Sequence, residues 1–429
     1  MKKHLANIRE KAERHKTLIQ NFSYLSALQV FNMLLPLITL PYLLTVLGAD
    51  YYGLIVYAQA ITSYFVMFVN FGFNIYGTKE ISLNRNDKSK ISEISSNIIL
   101  SKGLLFIASV AIMAGVLLLL KVSTKDQILF YLTLHLCFYE FILPLWYFQG
   151  IEKMKYITFV NLLSKLTFTV LIFIIIKNKE DYILVPLVNG LGSLIAGLAS
   201  LYILLVVEKV KIHLTHLKDV IFYIKESSVF ALSNISSNLK DNLSKVLIGI
   251  FLGHTEVTYF DIGEKILRLL RIPVGLTVQT IFPRLNQEKD IKFLFNVIKI
   301  LVSFISVTYI FIVIFSKSIV LFLGGEQLLP SSKIVILLNV LIIPNSVSFL
   351  LMQILIPLGH KQKYLTGLLI ANFTFIFSFS IIQIVTKNSL ISITILQVVS
   401  EFVLLIYIYL TCVKLNIINS PFKLFAYEK

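Results

Sequence analysis

Twelve apolar runs, each longer than 18 residues, follow one another along this chain with only short polar links between them. A run of that length crosses the hydrocarbon core of a bilayer as one helix, since a helix satisfies its backbone polar groups internally. The runs lie at 21–47, 54–76, 97–120, 127–149, 156–176 and 182–207, then at 228–252, 256–282, 293–316, 333–358, 364–386 and 389–413. Twelve spans use about 240 residues at roughly 20 apiece. The chain has 429 residues, so the connections must be short and no large extramembrane domain fits. Its 57% hydrophobic and 14% charged content excludes a soluble globule, which carries about 25% charged residues. The expected fold class is an all-α polytopic membrane protein.

The longest polar link, 208–227, separates two sets of six runs. The expected organisation is a basic amphipathic surface segment at 1–20, a six-helix bundle at 21–207, a linker at 208–227, a second bundle at 228–413 and a tail at 414–429. Short words repeat between the sets. Val46-Leu47-Gly48 closes run one and Phe251-Leu252-Gly253 closes run seven. Lys153 to Tyr156 follows run four as Lys361 to Tyr364 follows run ten. The offsets are 205 and 208 residues, which reads as duplication of a six-span unit. Parallel repeats of this kind build some transporters.

The net charge of +16 would suggest nucleic acid in a soluble protein. Here it sorts by side. With the N-terminus inside, the cytoplasmic segments carry 24 Lys and Arg and the external loops seven. The positive-inside rule then places both termini in the cytoplasm, and no nucleic-acid partner is expected.

Leaving aside Glu256 and Lys333 at the first residues of their runs, thirteen charges fall within runs: Lys102, Lys165, Lys240, Lys245, Lys265, Arg268, Arg271, Lys299, Glu140, Asp241, Asp261, Glu264 and Glu401. Each costs about 2.5–3.5 kcal/mol at the centre of a lipid-facing helix. Lys102 and Lys299, near run ends, are expected to snorkel to the interface. The others should face protein or a wet cavity. Asn234, Asn238, Asp241 and Lys245 form one stripe at helical spacing; Asp261, Lys265, Arg268 and Arg271 form a second. With Lys165 they are the candidate substrate-binding residues of a cavity with positive bias. Arg and Lys there suit phosphate or acidic sugar, and Asn suits sugar hydroxyls. Against this stands a plainer reading, in which the same charges pair to fix helix packing. His135, Glu140 and Asp241 are candidates for carrying a coupling proton or ion. Pro36 and Pro41, five residues apart in run one, are hinge candidates. No Walker A pattern appears, no metal site is expected, and Cys137 and Cys412 form no ligand spacing.

Several words carry a resemblance. They are LPLITLPYLLTVLGADYYG (Leu35 to Gly53), FGFNIYGTKEI (Phe71 to Ile81), WYFQGIEKMKY (Trp146 to Tyr156), KVLIGIFLG, TYFDIGEKI and IPLGHKQKY. In this order they resemble the polysaccharide-transporter branch of the multidrug/oligosaccharidyl-lipid/polysaccharide exporter superfamily, and within it the O-antigen flippase (Wzx) family. The resemblance implies two six-helix bundles around a central cavity, with no enzymatic chemistry and no cofactor. It implies a cargo of undecaprenyl-pyrophosphate-linked oligosaccharide, moved across the bacterial inner membrane by alternating access. A proton or sodium gradient would drive it, and a polysaccharide polymerase and chain-length proteins would act beside it. Two positions depart from many relatives: Thr45 stands where Arg is common, and Ser244 where Asp is common.

Three other functions make different demands. A drug or cation exporter of the same superfamily calls for an acid-rich cavity. A membrane polymerase or glycosyltransferase calls for a large external loop or a cluster of catalytic acids. A scaffold calls for dispensable charges.

Overall fold

A computed structural model describes residues 2–119, 123–288, 291–355, 358–385, 389–415 and 417. The side chains of residues 1–19, and so the amphipathic face expected there, lie outside this description, as does most of the 414–429 tail. The described residues are mostly helical, with no strand among them. The protein has the all-α architecture of a polytopic membrane protein. Nine helical stretches among the described residues are long and apolar enough to cross a membrane. They hold ten of the twelve apolar runs, because Ser23–Leu83 contains the first two. The remaining two runs lie in α9 (Leu217–Phe251) and α10 (His254–Glu288), the helices richest in charge.

The chain divides into two compact units. The first is Met1–Gly48 with Ala58–Ile235, and the second is Ala49–Tyr57 with Ser236–Lys429. The sequence drew its boundary at 208–227, whereas the contacts divide α9 internally and assign Ala49–Tyr57, the approach to run two and its first four residues, to the second unit.

Helix α1 (Lys2–Asn70) runs through Pro36 and Pro41 and loses helical geometry at Gly48, where φ is 77° and ψ is 172°. That backbone region is essentially restricted to glycine.

In the first unit, α7 (Met154–Ile175) packs on α8 (Leu184–Tyr202). Small residues make this possible, as is usual where no hydrophobic effect drives helices together in lipid. A Cβ added to Gly192 would lie 2.5 Å from the Ser164 carbonyl oxygen. Two of the sequence words meet in space: α2 (Phe73–Leu83) packs on α6 (Leu145–Gly150). Gly150 sits against Ile81, and Thr78 Oγ1 donates to Gln149 Oε1 at 3.1 Å. Run four is not one straight helix. It comprises α4 (Thr124–Thr133), α5 (His135–Ile142) and α6, broken at Leu134 and at Leu143-Pro144. The proline accounts for the second break, since it lacks an N–H and restricts the residue before it.

In the second unit, α10 packs on α12 (Ser331–Asn339) and α13 (Ile342–Leu355), and α14 (Lys361–Val385) packs on α15 (Leu390–Lys414). The inserted piece Ala49–Tyr57 joins this unit through close backbone approach. Gly53 faces the His254 carbonyl so tightly that a Cβ would lie 1.8 Å from its oxygen. Gly249 takes the Tyr57 ring in the same way.

Candidate functional site

The charges of α9 and α10 assemble into one network within the second unit. Lys245 on α9 bridges two acids of α10: its Nζ lies 3.0 Å from Asp261 Oδ1 and also contacts Glu264. Four residues along α10 from each acid stands a second cation. Lys265 pairs with Asp261, and Arg268 holds Glu264 Oε1 through Nε at 2.9 Å and Nη2 at 2.6 Å. These are the i,i+4 positions that meet on one helix face. Arg271 Nη1 donates to Asp241 Oδ2 at 3.1 Å, closing α10 back onto α9. At the far side Lys240 contacts Glu401 of α15 at 2.5 Å, and Asn345 donates to the same carboxylate at 2.9 Å.

Five cations therefore meet four acids, and each acid has a cationic partner. These are ion pairs of the kind that the plainer reading of the sequence called for. What distinguishes the site is where the two signs sit. The side chains of Asp261 and Glu264 are each 2% exposed, while those of Lys265 and Arg268 are 29% and 54% exposed. Arg271 is 29% exposed. In the two α10 pairs the acids Asp261 and Glu264 form the floor and the cations Lys265 and Arg268 form the rim, whereas Asp241 is 27% exposed beside Arg271 and Lys245 only 6%. Arg268 is the most open of them. Both of its recorded bonds use Nε and Nη2, on one edge of the planar guanidinium.

Other candidates fall elsewhere. Asn234 belongs to the first unit, and Asn238 is exposed on α9 in the second. Lys165 is half-buried on α7 in the first unit, without an ion-pair partner among the described residues. His135 and Glu140 lie on α5, with no hydrogen bond joining them among the described residues. His135 Nδ1 contacts the Leu132 carbonyl at 2.8 Å. Glu140 Oε1 accepts from Lys102 Nζ at 2.8 Å and Asn70 Nδ2 at 2.7 Å. Lys102 corrects one expectation. It does not snorkel; it is fully buried, because Glu140 supplies the countercharge inside the unit.

At the two departures, Thr45 Oγ1 donates to its own helix at Pro41 O, 2.9 Å away. Ser244 is buried, with Oγ 3.5 Å from Gln397 Oε1, and Gln397 Nε2 in turn donates to Asp241 Oδ1 at 3.0 Å. Ser244 and Asp241 thus share a partner across α15.

Sequence reasoning missed Tyr52. Its hydroxyl donates to Asp261 Oδ2 at 2.9 Å and accepts from Lys265 Nζ at 2.7 Å. It lies in the nine-residue insertion that joins the second unit, so no periodicity marked it. Gln397 and Asn345 were also missed, being neutral residues in otherwise apolar helices.

Comparison with known proteins settles the family. Residues 18–289, well over half the chain, match the family described as "Polysaccharide biosynthesis protein". The chain belongs to this family. Among curated relatives, it is 29% identical over 273 residues to a protein of Escherichia coli (strain K12) named "Putative O-antigen transporter", covering 63% of this chain and 65% of that one. A Shigella dysenteriae protein of the same name is 28% identical over 60% of this chain and 64% of its own length. The match thus spans just under two thirds of each relative. Among solved structures, the fold is similar to an inward-facing multidrug resistance MATE family transporter of the MOP superfamily. The TM-score is 0.71 at 14% identity, over 90% of this chain and 96% of that one. It is similar also to the lipid II flippase MurJ in an inward closed conformation, with a TM-score of 0.69 at 16% identity, over 91% of this chain and 87% of that one. At these identities the likeness establishes a shared fold.

Proposed function

We propose that the protein is a flippase that carries undecaprenyl-pyrophosphate-linked oligosaccharide, an O-antigen or similar repeat unit, across the bacterial inner membrane. It would do so by alternating access, with both termini in the cytoplasm and without covalent chemistry. The observation that carries this reading is the arrangement of sign on α10: buried Asp261 and Glu264 beneath the more open Lys265 and Arg268. A pyrophosphate meets the cationic rim, where Arg268 can offer paired N–H groups to phosphate oxygens. A cation exporter would need the reverse, with accessible acids. The names of the curated relatives and of the lipid flippase among the fold neighbours agree with this substrate class.

In this proposal Lys245 acts from below, holding Asp261 and Glu264 in place so that the rim keeps its orientation, while Arg271 holds Asp241 beside it. Asn238 and Lys165 remain candidate sugar and anion contacts. A proton or sodium gradient would drive the cycle, with Glu140, Asp241 and His135 as the groups to test. The polymerase and chain-length proteins would use the delivered repeat unit.

Deleting the gene tests the transport step. Lipid-linked repeat units should then collect on the cytoplasmic face of the inner membrane while surface polysaccharide disappears. If the repeat units still reached the periplasm and only chain growth stopped, the protein would be acting as a polymerase.

A further inference from the structure

The first unit contains a polar cavity of about 290 Å³ that the transport reading does not use. Its wall includes Arg85, Lys88, Lys153, Glu208 and Lys209, with Tyr147 behind them. The five charged residues come from three separate links, 77–96, 150–155 and 208–227, all of which the positive-inside count assigns to the cytoplasm. The cavity therefore lies at the cytoplasmic end of its unit.

Its charges are unevenly satisfied. Lys153 Nζ chelates Glu208 at 2.6 and 2.8 Å. Arg85 Nη2 is 2.7 Å from Glu152 Oε1, and its Nε donates to Gly150 O at 2.7 Å. Lys88 and Lys209 have no ion-pair partner among the described residues, so two cations stand over a cavity whose lining carboxylate, Glu208, is already engaged by Lys153. Lys88 also opens α3 (Lys88–Leu119), whose positive dipole end adds to the field.

The frame is built rather than loose. Lys209 and Glu152 have φ of 57° and 59°, two of the three positive-φ non-glycine residues among the described residues. Such backbone costs energy and persists where the surroundings hold it. Here Val210 N bonds Leu204 O at 3.1 Å, and Lys211 N reaches Ser92 Oγ at 3.3 Å, strapping the link onto α3. Immediately before Glu208 comes a π-helical turn, Ile203–Val207, with Leu205, Val206 and Val207 exposed. A cationic cavity thus adjoins an apolar outer surface. That combination fits an amphiphile better than a free ion: phosphate in the cavity, acyl chains along the turn.

We infer that this cavity binds the phosphate headgroup of an anionic phospholipid from the cytoplasmic leaflet. The inference does not depend on the flippase reading, because binding is measured without transport. The purified full chain is placed in nanodiscs of phosphatidylethanolamine with phosphatidylglycerol, and retained lipid is counted by native mass spectrometry. Phosphatidylglycerol should be enriched over phosphatidylethanolamine. Lys88→Gln and Lys209→Gln should each lower that enrichment about fivefold, and Lys88→Arg with Lys209→Arg should preserve it. Equal retention of the two lipids, or enrichment unchanged in the double Gln variant, would overturn the inference. So would displacement of the lipid by millimolar inorganic phosphate, which would make the site one for a soluble anion.

Discussion

Lys102 is wholly buried, and its ammonium lies 2.8 Å from Oε1 of Glu140 on a different helix. A cation in that position needs its partner. Removing one member of a buried pair costs about 3–5 kcal/mol, mostly from the charge left behind. Glu140→Gln should therefore lower the thermal unfolding temperature in detergent sharply. Glu140→Gln combined with Lys102→Met should recover much of the loss. If the double variant were as unstable as the single, Lys102 would not depend on Glu140.

The floor and the rim of the α10 network should respond differently. Lys245 is 6% exposed at its side chain and bridges two acids, so Lys245→Met should lose about 3–5 kcal/mol and much of the folded protein. Arg268 is half-exposed, and an open ion pair is worth about 1 kcal/mol or less. Arg268→Gln should thus leave folding nearly intact. Export should still fall about tenfold or more, the value of a lost charge-assisted contact to phosphate. Surface polysaccharide, compared at matched amounts of folded protein, reads the difference.

Gly48 should resist substitution for a conformational reason alone. A Cβ there meets nothing within 4 Å, yet the backbone lies in territory nearly exclusive to glycine. Gly48→Ala should cost about 1–3 kcal/mol. Gly115, which lies inside α3, has equally open space around it. Gly115→Ala should gain about 0.5–1 kcal/mol. Opposite shifts in unfolding temperature from two such substitutions would separate backbone strain from crowding.

The apolar runs were legible because lipid imposes one rule on every span, and the described helices hold them. The in-span charges were legible too, since each breaks that rule. Their partners were not. Tyr52 and Asp261 are 209 positions apart, and only the fold of the second unit brings them together. Lys245 could be placed on a stripe with Asp241, but its acids, Asp261 and Glu264, are on the next helix. Lys102 looked like an interfacial lysine because position along a run says nothing about what faces it. Gly48 was visible as a repeated word at a run end, while its non-helical backbone geometry was not. Periodicity reports which residues share a face; it does not report what that face meets.

Reconstitution separates a flippase from a protein that leaves the lipid-linked repeat unit in the leaflet where it was made. The purified protein is placed in liposomes with undecaprenyl-pyrophosphate-linked oligosaccharide labelled on its sugar, and an enzyme that cleaves exposed sugar is added outside. Without the protein, only the outer-leaflet half should be cleaved rapidly. With it, nearly all the label should become accessible, and Arg268→Gln should slow that rise about tenfold or more. Label that stays half protected in the presence of folded wild-type protein, with a transmembrane ion gradient applied, would contradict the flippase assignment.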